Sequence, residues 1–435
     1  MKITNLSLAA IAVVAMTTGA MADADKGIDF KISGQAVVYY ETQDAGDMDL
    51  FGQGSANGAT TSGTAGNSVA NAGLQLNANS DLGNGFGLGL QGSALSTWGL
   101  ENQLVSSTKQ GGYASQGDTA NGTSYFNITK AYLTKQIGNT TLKAGRQELP
   151  KSLSPLAFSE GWNVFKNTFD AIVAINTDIP DTTVVGAYVS RANGSKGDTT
   201  TFGKLAGGAM DEGAYMLTVA NKSSKIVQPT ISYYALKDIT IGAPITTTDS
   251  GSAIWADVQV DAGLPVKLAL QGGQIDPKNG LDKTNVWGAK ASAKLNGVAL
   301  SLAYSDVNDG AVSVQNVGTG VKTPLYTQMV YNQGNISSDA STTVLKAAMP
   351  AGPGKLIAQY GMTTDNSAAK NDYNELDIMY KTKALGMNVF AAYIMRDADK
   401  KSFGSTAGVS TVPTLTNVPS DDKNNIVRVW TRYNF

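Results

Sequence analysis

The chain has 435 residues, of which 16% are charged, and a formal net charge of −2; 48 residues are glycine and 12 are proline. It contains neither cysteine nor histidine, which excludes disulfides, the usual zinc sites and a Ser-His-Asp triad. Its charges are scattered rather than gathered into a basic patch, which argues against a nucleic-acid partner. We therefore expect no cofactor, no metal site and no enzymatic activity.

The first segment, residues 1–22, has the pattern of a cleaved secretory signal peptide. Lys2 precedes an apolar run, residues 6–16, that is too short to span a bilayer as a helix. The segment then ends in an A-x-A cleavage site, Ala20 to Ala22. The alternative is a buried N-terminal helix, which would not need that ending. We predict a mature chain, residues 23–435, that forms a single domain.

The rest of the chain repeats one unit: two strands of roughly ten alternating residues, joined by a short turn and followed by a longer polar loop. Residues 70–79 show the alternation clearly, because alanine and leucine alternate there with asparagine, glycine and glutamine. Charged residues such as Asp257, Lys290 and Glu375 stand on the polar face in mid-strand. That face must therefore be in contact with water.

The connections between the strands alternate between short and long. Short connections fall at 80–85, 177–182, 262–265, 295–297 and 383–385, and long ones at 42–69, 99–122, 191–211, 305–341 and 397–423. This asymmetry is typical of outer-membrane barrels. We therefore predict an all-β fold, an antiparallel transmembrane β-barrel of about 18 strands, with a range of 16–18.

The last ten residues, IVRVWTRYNF, read as a final strand with one apolar face. It must pair with the first strand, because lipid offers no partner to an open sheet edge. Arg428 and Arg432 should face inward, since an arginine facing lipid costs about 2–4 kcal/mol at the bilayer midplane. Val429, Tyr433 and the terminal Phe435 resemble the C-terminal assembly signal of outer-membrane proteins.

Residues 146–170 form a long loop that differs from the others, which are mostly Gly, Ser, Thr and Asn. Its many large apolar side chains predict that it folds into the barrel; packing on the outer rim or on a neighbouring subunit is the alternative. Its charged residues would then border a pore constriction: Arg146, Glu148, Lys151, Glu160, Lys166 and Asp170. The predicted pore wall adds Asp257, Lys290, Lys294, Asp377, Arg428 and Arg432.

One stretch, residues 131–188, resembles the Opr-type porins, including the major outer-membrane porin of campylobacter-type bacteria. Its AYL, GRQ and SPL sequences and its DIPDTT turn carry the resemblance. The resemblance implies a barrel of about 18 strands in a Gram-negative outer membrane, with a loop folded into the pore. It also implies a homotrimer, inserted into outer-membrane lipid by the barrel assembly machinery.

We therefore predict an outer-membrane porin, a water-filled channel for passive diffusion of ions and small hydrophilic solutes. A substrate-preferring channel and an adhesive or structural barrel are the alternatives. A barrel hydrolase fits poorly, because such enzymes lean on a histidine and this chain has none. The ion preference stays open, since both the loop and the wall carry charges of both signs.

Overall fold

The structure is a computed structural model that describes residues 29–44, 50–51, 68–96, 107–110, 125–193, 203–204, 213–240, 248–278, 280–399 and 423–435. The predicted signal peptide, residues 1–22, and much of several predicted outer loops lie outside these ranges. Within them, no helix is both long and apolar enough to cross a membrane. The helix α1 (Gln333–Ile336) has only four residues.

Eighteen strands of eight or more residues dominate the described part of the chain. Two further strands, Ser107–Thr108 and Gly203–Lys204, have two residues each and bring the described total to twenty. The long strands are β1 (Phe30–Gln43), β2 (Ser68–Gly83), β3 (Phe86–Ser96), β4 (Tyr125–Ile137), β5 (Thr140–Gln147), β6 (Phe169–Asn176), β7 (Thr182–Ala192), β8 (Ala214–Asn221), β9 (Val227–Thr240), β10 (Thr248–Val260), β11 (Val266–Asp276), β12 (Thr284–Leu295), β13 (Val298–Val307), β14 (Ala340–Ala351), β15 (Gly354–Asp365), β16 (Tyr373–Ala384), β17 (Met387–Ala398) and β18 (Asn424–Asn434).

The long strands form one closed antiparallel barrel. Each pairs with the next in sequence, and β18 pairs back onto β1 in a register that sets Glu41 opposite Arg428. The closure leaves no edge of the barrel wall unpaired, which is the only way a sheet can stand in lipid. The predicted antiparallel barrel of about 18 strands is therefore confirmed.

The predicted short turns have the backbone geometry of tight hairpins. Asn296 and Gly297 join β12 to β13 with φ angles of 49° and 85°. Asn84 and Gly85 join β2 to β3 with φ angles of 52° and 74°. Two-residue hairpin loops with positive φ match the right-handed twist of the strands, and asparagine and glycine adopt this conformation most readily. These turns define the short-turn end of the barrel; the opposite end is the long-loop end.

The two faces of the wall follow the alternation of the sequence. Outward side chains such as Val38, Leu270 and Leu302 are each about half exposed, although they are apolar. Their inward neighbours, such as Tyr39 and Gln271, are buried inside the barrel. Burying an aliphatic side chain away from water is worth about 1.5–3 kcal/mol, so the outer face requires an apolar surrounding such as lipid.

The C-terminus is fastened to the first strand. The N–H of Gly34 donates to the carbonyl of Phe435 at 2.8 Å, and the N–H of Phe435 donates to the carbonyl of Gly34 at 3.1 Å. The ring of Phe435 lies over Gly34, because a Cβ at that position would fall 2.6 Å from the ring's Cζ. The final residue therefore takes part in the closure of the barrel.

Deleting Phe435 should reduce the yield of folded barrel in the membrane. The deletion removes both closing hydrogen bonds and the ring over Gly34. The measurement is the amount of heat-resistant, fast-migrating protein in outer-membrane fractions. Phe435→Tyr, which keeps the aromatic ring, should assemble as the wild type does. Undiminished heat-resistant barrel after the deletion would contradict the assembly role of this residue.

Candidate functional site

The segment that joins β5 to β6, residues 148–168, lies inside the barrel; we name it the first inner loop. Its Leu149 and Leu156 are buried in one cluster with inward side chains of β6 to β13, among them Val189, Met216, Trp255 and Val286. The backbone N–H of Leu156 also donates to the hydroxyl oxygen of Tyr234 at 3.2 Å. This part of the loop is therefore fixed to the β7–β10 side of the wall.

The other part of the first inner loop reaches the opposite wall. Val164 and Phe165 are buried with Val37 and Tyr39 of β1 and with Leu95 of β3. The carbonyl of Asn163 accepts a hydrogen bond from Nη2 of Arg432 at 3.0 Å. The loop therefore crosses the lumen from one wall to the other and divides its cross-section.

A second segment, residues 308–339 between β13 and β14, also lies inside the barrel; we name it the second inner loop. Val314, Leu325 and Ile336 belong to the same buried cluster as Leu149. From the sequence this stretch was expected to be an ordinary long outer loop, 305–341. The signal was present in its scattered valines, leucine and methionine, but glycine, serine and asparagine between them gave it the composition of a solvated loop.

The two inner loops are joined by a buried carboxylate, Glu160. Its oxygens accept hydrogen bonds from Asn316 Nδ2 and Thr319 Oγ1, both at 2.5 Å, and from the indole N–H of Trp162. Asn316 Nδ2 also donates to the carbonyl of Phe158 at 2.7 Å. Burial raises the pKa of Glu160. The expectation that Glu160 faces the open lumen is therefore corrected: it is enclosed between the loops.

Arg146 and Asp170 are also placed differently from the prediction. They are cross-strand neighbours on β5 and β6, and the register puts them on the same face as Ile172, whose side chain is exposed on the outside. Arg146 Nε donates to Asp170 Oδ1 at 2.9 Å. Their side chains therefore lie on the outer face near the long-loop end, not in the constriction. The sequence pattern misled because both residues are in strands, where alternation decides the face.

Glu148 and Lys166 remain inside the barrel, next to the wall lysine Lys130. The two oxygens of Glu148 accept from Lys130 Nζ at 2.5 Å and from Lys166 Nζ at 3.0 Å. Burial alone would raise the pKa of Glu148, but the two ammonium groups hold it below its ordinary value. The acid of this group is therefore ionised and paired, with two lysines beside it.

Lys151 and the predicted wall residues Asp257 and Lys290 all contact the second inner loop. Tyr326 of that loop donates its O–H to Asp257, and Lys290 Nζ lies 4.4 Å from the centre of the Tyr326 ring. Lys151 Nζ donates to the carbonyl of Thr323 at 3.0 Å. The enclosing protein lowers the pKa of Lys151 to about 8, although its side chain is open to the lumen and water screens the effect.

The remaining predicted wall residues have distinct surroundings. Asp377 is buried and accepts from Gln359 Nε2 at 2.5 Å, while its Oδ1 has no hydrogen-bond partner among the described residues. Arg432 donates to Gln35 Oε1 at 3.0 Å, and Lys294 is exposed near the short-turn end. Arg428 is buried against Glu41.

Sequence reasoning missed the cluster around Glu41. Lys109 Nζ donates to Glu41 Oε1 at 2.8 Å, and Arg428 Nε donates to Glu41 Oε2 at 2.6 Å. Tyr331 of the second inner loop joins the same carboxylate. The residues of this cluster are far apart in sequence, so no local pattern brings them together. The one available signal was the alternation of β1, which places the acidic Glu41 on the inward face.

Two buried loop lysines, Lys109 and Lys322, have a pKa of about 8, below the ordinary value of lysine. Burial lowers the pKa of Lys109 to about 8, against the opposing effect of the Glu41 carboxylate. Burial likewise lowers the pKa of Lys322 to about 8, against the opposing effect of Glu375. An ordinary lysine has a pKa of about 10.4. The interior of the barrel therefore loses positive charge at a pH where surface lysines keep theirs.

Comparison with known proteins identifies relatives of this barrel. A model of the Gram-negative porin family matches residues 8–322. The chain is similar to OccK8 (OprE) of Pseudomonas aeruginosa, with 13% identity, a TM-score of 0.69 and coverage of 94% of this chain and 98% of that one. OccK9 (OpdG) of the same organism is 14% identical with a TM-score of 0.69, and the match covers 94% of this chain and 99% of that one. OccAB2 of Acinetobacter baumannii is 15% identical with a TM-score of 0.68, and the match covers 94% of this chain and 98% of that one. At such identities the structures share the fold. No curated protein matches the sequence.

Raising the pH from 7 to 9 should make the ion current through the lumen less selective for anions. With a pKa of about 8, each of Lys109 and Lys322 keeps its proton in only about one molecule in ten at pH 9. The measurement is the reversal potential in a salt gradient as a function of pH. A Lys109→Met, Lys151→Met, Lys322→Met triple variant should flatten the profile, because the pKa of Lys151 is also lowered to about 8. A flat wild-type profile would contradict the lowered pKa values.

Replacing Asn316 by alanine should loosen the contact between the inner loops. The change removes one of the donors to the buried Glu160 and one of the donors to the Phe158 carbonyl, at a cost of about 1–3 kcal/mol. Single-channel records should then show more frequent transitions between current levels. Gln315→Ala is the matched control, because its side chain makes no hydrogen bond with the described residues. Equal current noise in both variants and in the wild type would contradict the role of Asn316 in holding the two inner loops together.

Proposed function

The chain belongs to the Gram-negative porin family, and from this premise we propose that its channel prefers small anionic solutes. The porin forms a channel through the Gram-negative outer membrane for passive diffusion of small solutes. Its two inner loops narrow the lumen, so the charges that remain accessible beside them decide which ions pass most easily. One observation carries the proposal: four inward lysines of strands β12 to β16 form no hydrogen bond or ion pair with the described residues, whereas the inward acids Glu41, Glu148 and Glu375 all have partners.

Four lysines form the unpaired set. Lys290 on β12, Lys346 on β14, Lys355 on β15 and Lys381 on β16 lie on the inward face of the wall. None of them forms a hydrogen bond or an ion pair with the described residues. Lys355 and Lys381 are direct cross-strand neighbours. Like charges in that position destabilise a sheet, so barrel stability does not explain them.

By contrast, the inward acidic side chains form ion pairs or hydrogen bonds or are buried. Glu41 and Glu148 each pair with two cations. Glu375 accepts from the Tyr373 hydroxyl at 2.6 Å and from the backbone N–H of Tyr331 at 2.9 Å. Asp377 is fully buried. The charge that a solute meets along the β12–β16 side of the lumen is therefore positive, although the chain as a whole is slightly acidic.

The assembly of this porin is proposed by analogy with the family that the sequence resembles. We propose that the porin is a homotrimer, that the barrel assembly machinery inserts it into outer-membrane lipid, and that residues 1–22 are removed on export. The A-x-A site and the terminal aromatic residue support export and insertion. The AYL, GRQ and SPL sequences support a closer kinship to the major porin of campylobacter-type bacteria, which remains part of this proposal.

Passive transport is proposed as the whole activity of the chain. The family and fold are those of a channel, and the sequence lacks the histidine on which barrel hydrolases rely. A substrate-preferring channel is the second candidate function. The cluster of Lys151, Asp257, Lys290 and Tyr326 favours it, because polar groups of both signs converge there on the lumen.

Neutralising the wall lysines should reduce the anion preference. In planar bilayers under a KCl gradient, the wild type should give a reversal potential on the anion-selective side. The Lys346→Gln, Lys355→Gln, Lys381→Gln variant should lower the chloride-to-potassium permeability ratio by roughly twofold, since three charges leave the lumen. Lys225→Gln, in the short turn between β8 and β9, should change nothing. A cation-selective wild type would overturn the proposal, and openings in threes would support the trimer.

A further inference from the structure

Glu41 is a buried carboxylate near the long-loop end of β1, and only 6% of it is exposed. Its Oε1 accepts from Lys109 Nζ at 2.8 Å and from the Tyr331 hydroxyl at 2.5 Å. Its Oε2 accepts from Arg428 Nε at 2.6 Å and from the Tyr39 hydroxyl at 2.6 Å. One side chain thereby joins the first strand, the last strand, residues 107–110 and the second inner loop.

Tyr331 is the contact of the second inner loop within this cluster. Its hydroxyl oxygen also accepts from Arg428 Nη2 at 2.7 Å. Three cations surround its ring: the distances from the ring centre are 4.9 Å to Arg396 Cζ, 5.1 Å to Arg428 Cζ and 5.7 Å to Lys109 Nζ. The Glu41 carboxylate is the anion that both Lys109 and Arg428 bind directly.

Barrel closure alone does not require this burial. Glu41 and Arg428 are cross-strand neighbours on the inward face, where an aqueous lumen could hydrate an ion pair. Burying two charges costs free energy that only good geometry and further hydrogen bonds offset. Here the covering groups, Lys109 and Tyr331, come from segments outside the wall. The burial therefore points to a role in positioning those segments.

We propose that Glu41 is the positioning residue that holds the tip of the second inner loop, residues 329–331, against β1 and β18. The tip also packs on inward side chains of β14 to β18 and donates backbone N–H groups to Glu375 and Asp377. Glu41 completes this attachment and thereby keeps the tip inside the lumen, where it narrows the passage. The proposal depends on the channel activity of the porin but not on its ion preference, because conductance in symmetric salt reports it.

Segment 107–110 keeps its backbone anchors when Glu41 is neutralised. Asn71 Oδ1 accepts from the N–H groups of Lys109 and Gln110 at 2.8 and 3.0 Å, and Asn71 Nδ2 donates to the carbonyl of Gln110 at 3.0 Å. What changes in Glu41→Gln is the balance of charge. Lys109 and Arg428 lose the anion that they share, so water should enter the cluster and Tyr331 should move away from β1 and β18. The hydrogen bond of the Tyr331 N–H to Glu375 remains, so the movement is local.

The first test is conductance. Glu41→Gln should raise single-channel conductance in symmetric KCl about twofold, while the barrel keeps its heat resistance. Tyr331→Phe, which removes only the hydroxyl, and Lys109→Met should each raise conductance by a smaller factor. Asp261→Asn, in the exposed turn between β10 and β11, is the control with wild-type conductance. Because Tyr331 and Lys109 lie outside β1 and β18, their variants decide the question even if Glu41→Gln does not fold.

The second test reports the tip directly. The chain has no cysteine, so a Met329→Cys reporter is the only thiol. Met329 is 4% exposed, and a membrane-impermeant thiol reagent should modify the reporter slowly in the otherwise wild-type protein. Adding Tyr331→Phe or Glu41→Gln should raise the modification rate roughly tenfold, since local opening exposes the site.

The outcomes separate cleanly. Wild-type conductance and wild-type labelling in folded Tyr331→Phe and Lys109→Met would overturn the positioning role and leave Glu41 as a staple between the first and last strands. A folded, inserted wild type without any current would overturn the channel activity and this proposal with it. A failed anion preference in the salt-gradient experiment would leave the Glu41 proposal intact.

Discussion

The closure of the sheet between β1 and β18 is the constraint on which the rest of the structure depends. Lipid offers no hydrogen-bond partner, so every backbone group of the wall must find one in the neighbouring strand. The reciprocal hydrogen bonds of Gly34 and Phe435 mark where that condition is met last. Closure fixes the register, the register fixes which residues face inward, and the inward set supplies the chemistry of the channel.

The inward side chains contribute little to the stability of the wall, because backbone hydrogen bonds and the contact of the outer face with lipid supply that stability. It can therefore carry charges that a soluble core would exclude, including the like-charged neighbours Lys355 and Lys381. The same freedom allows two loops to pack inside. Part of the lumen becomes a dry contact around Glu41 and Tyr331, and lysines without a polar partner line another part of the wall. The charge along the channel is uneven for this reason.

The inner loops behave as a small core enclosed by the barrel. Apolar side chains attach each loop to the wall, and Glu160 with Asn316 attaches the loops to each other. Buried polar groups are costly unless paired, so the hydrogen-bonded asparagines of the loops, such as Asn167, Asn316 and Asn332, fix the arrangement more sharply than apolar contacts would. The shape of the passage that a solute meets depends on these hydrogen bonds.

The sequence by itself determined the barrel, because a period of two and the alternation of short and long connections are local properties that lipid enforces strand by strand. Strand number, closure and the inward Arg428 followed from it. The tertiary structure alone decided the pore. Arg146 and Asp170 face outward because the alternation of strand residues, not loop composition, decides their direction. Glu160 is enclosed by a loop whose Asn316 lies 156 residues further along the chain, and Glu41 draws its partners from distant segments. Contacts between segments so far apart leave no periodicity in the sequence, so no local pattern could reveal them.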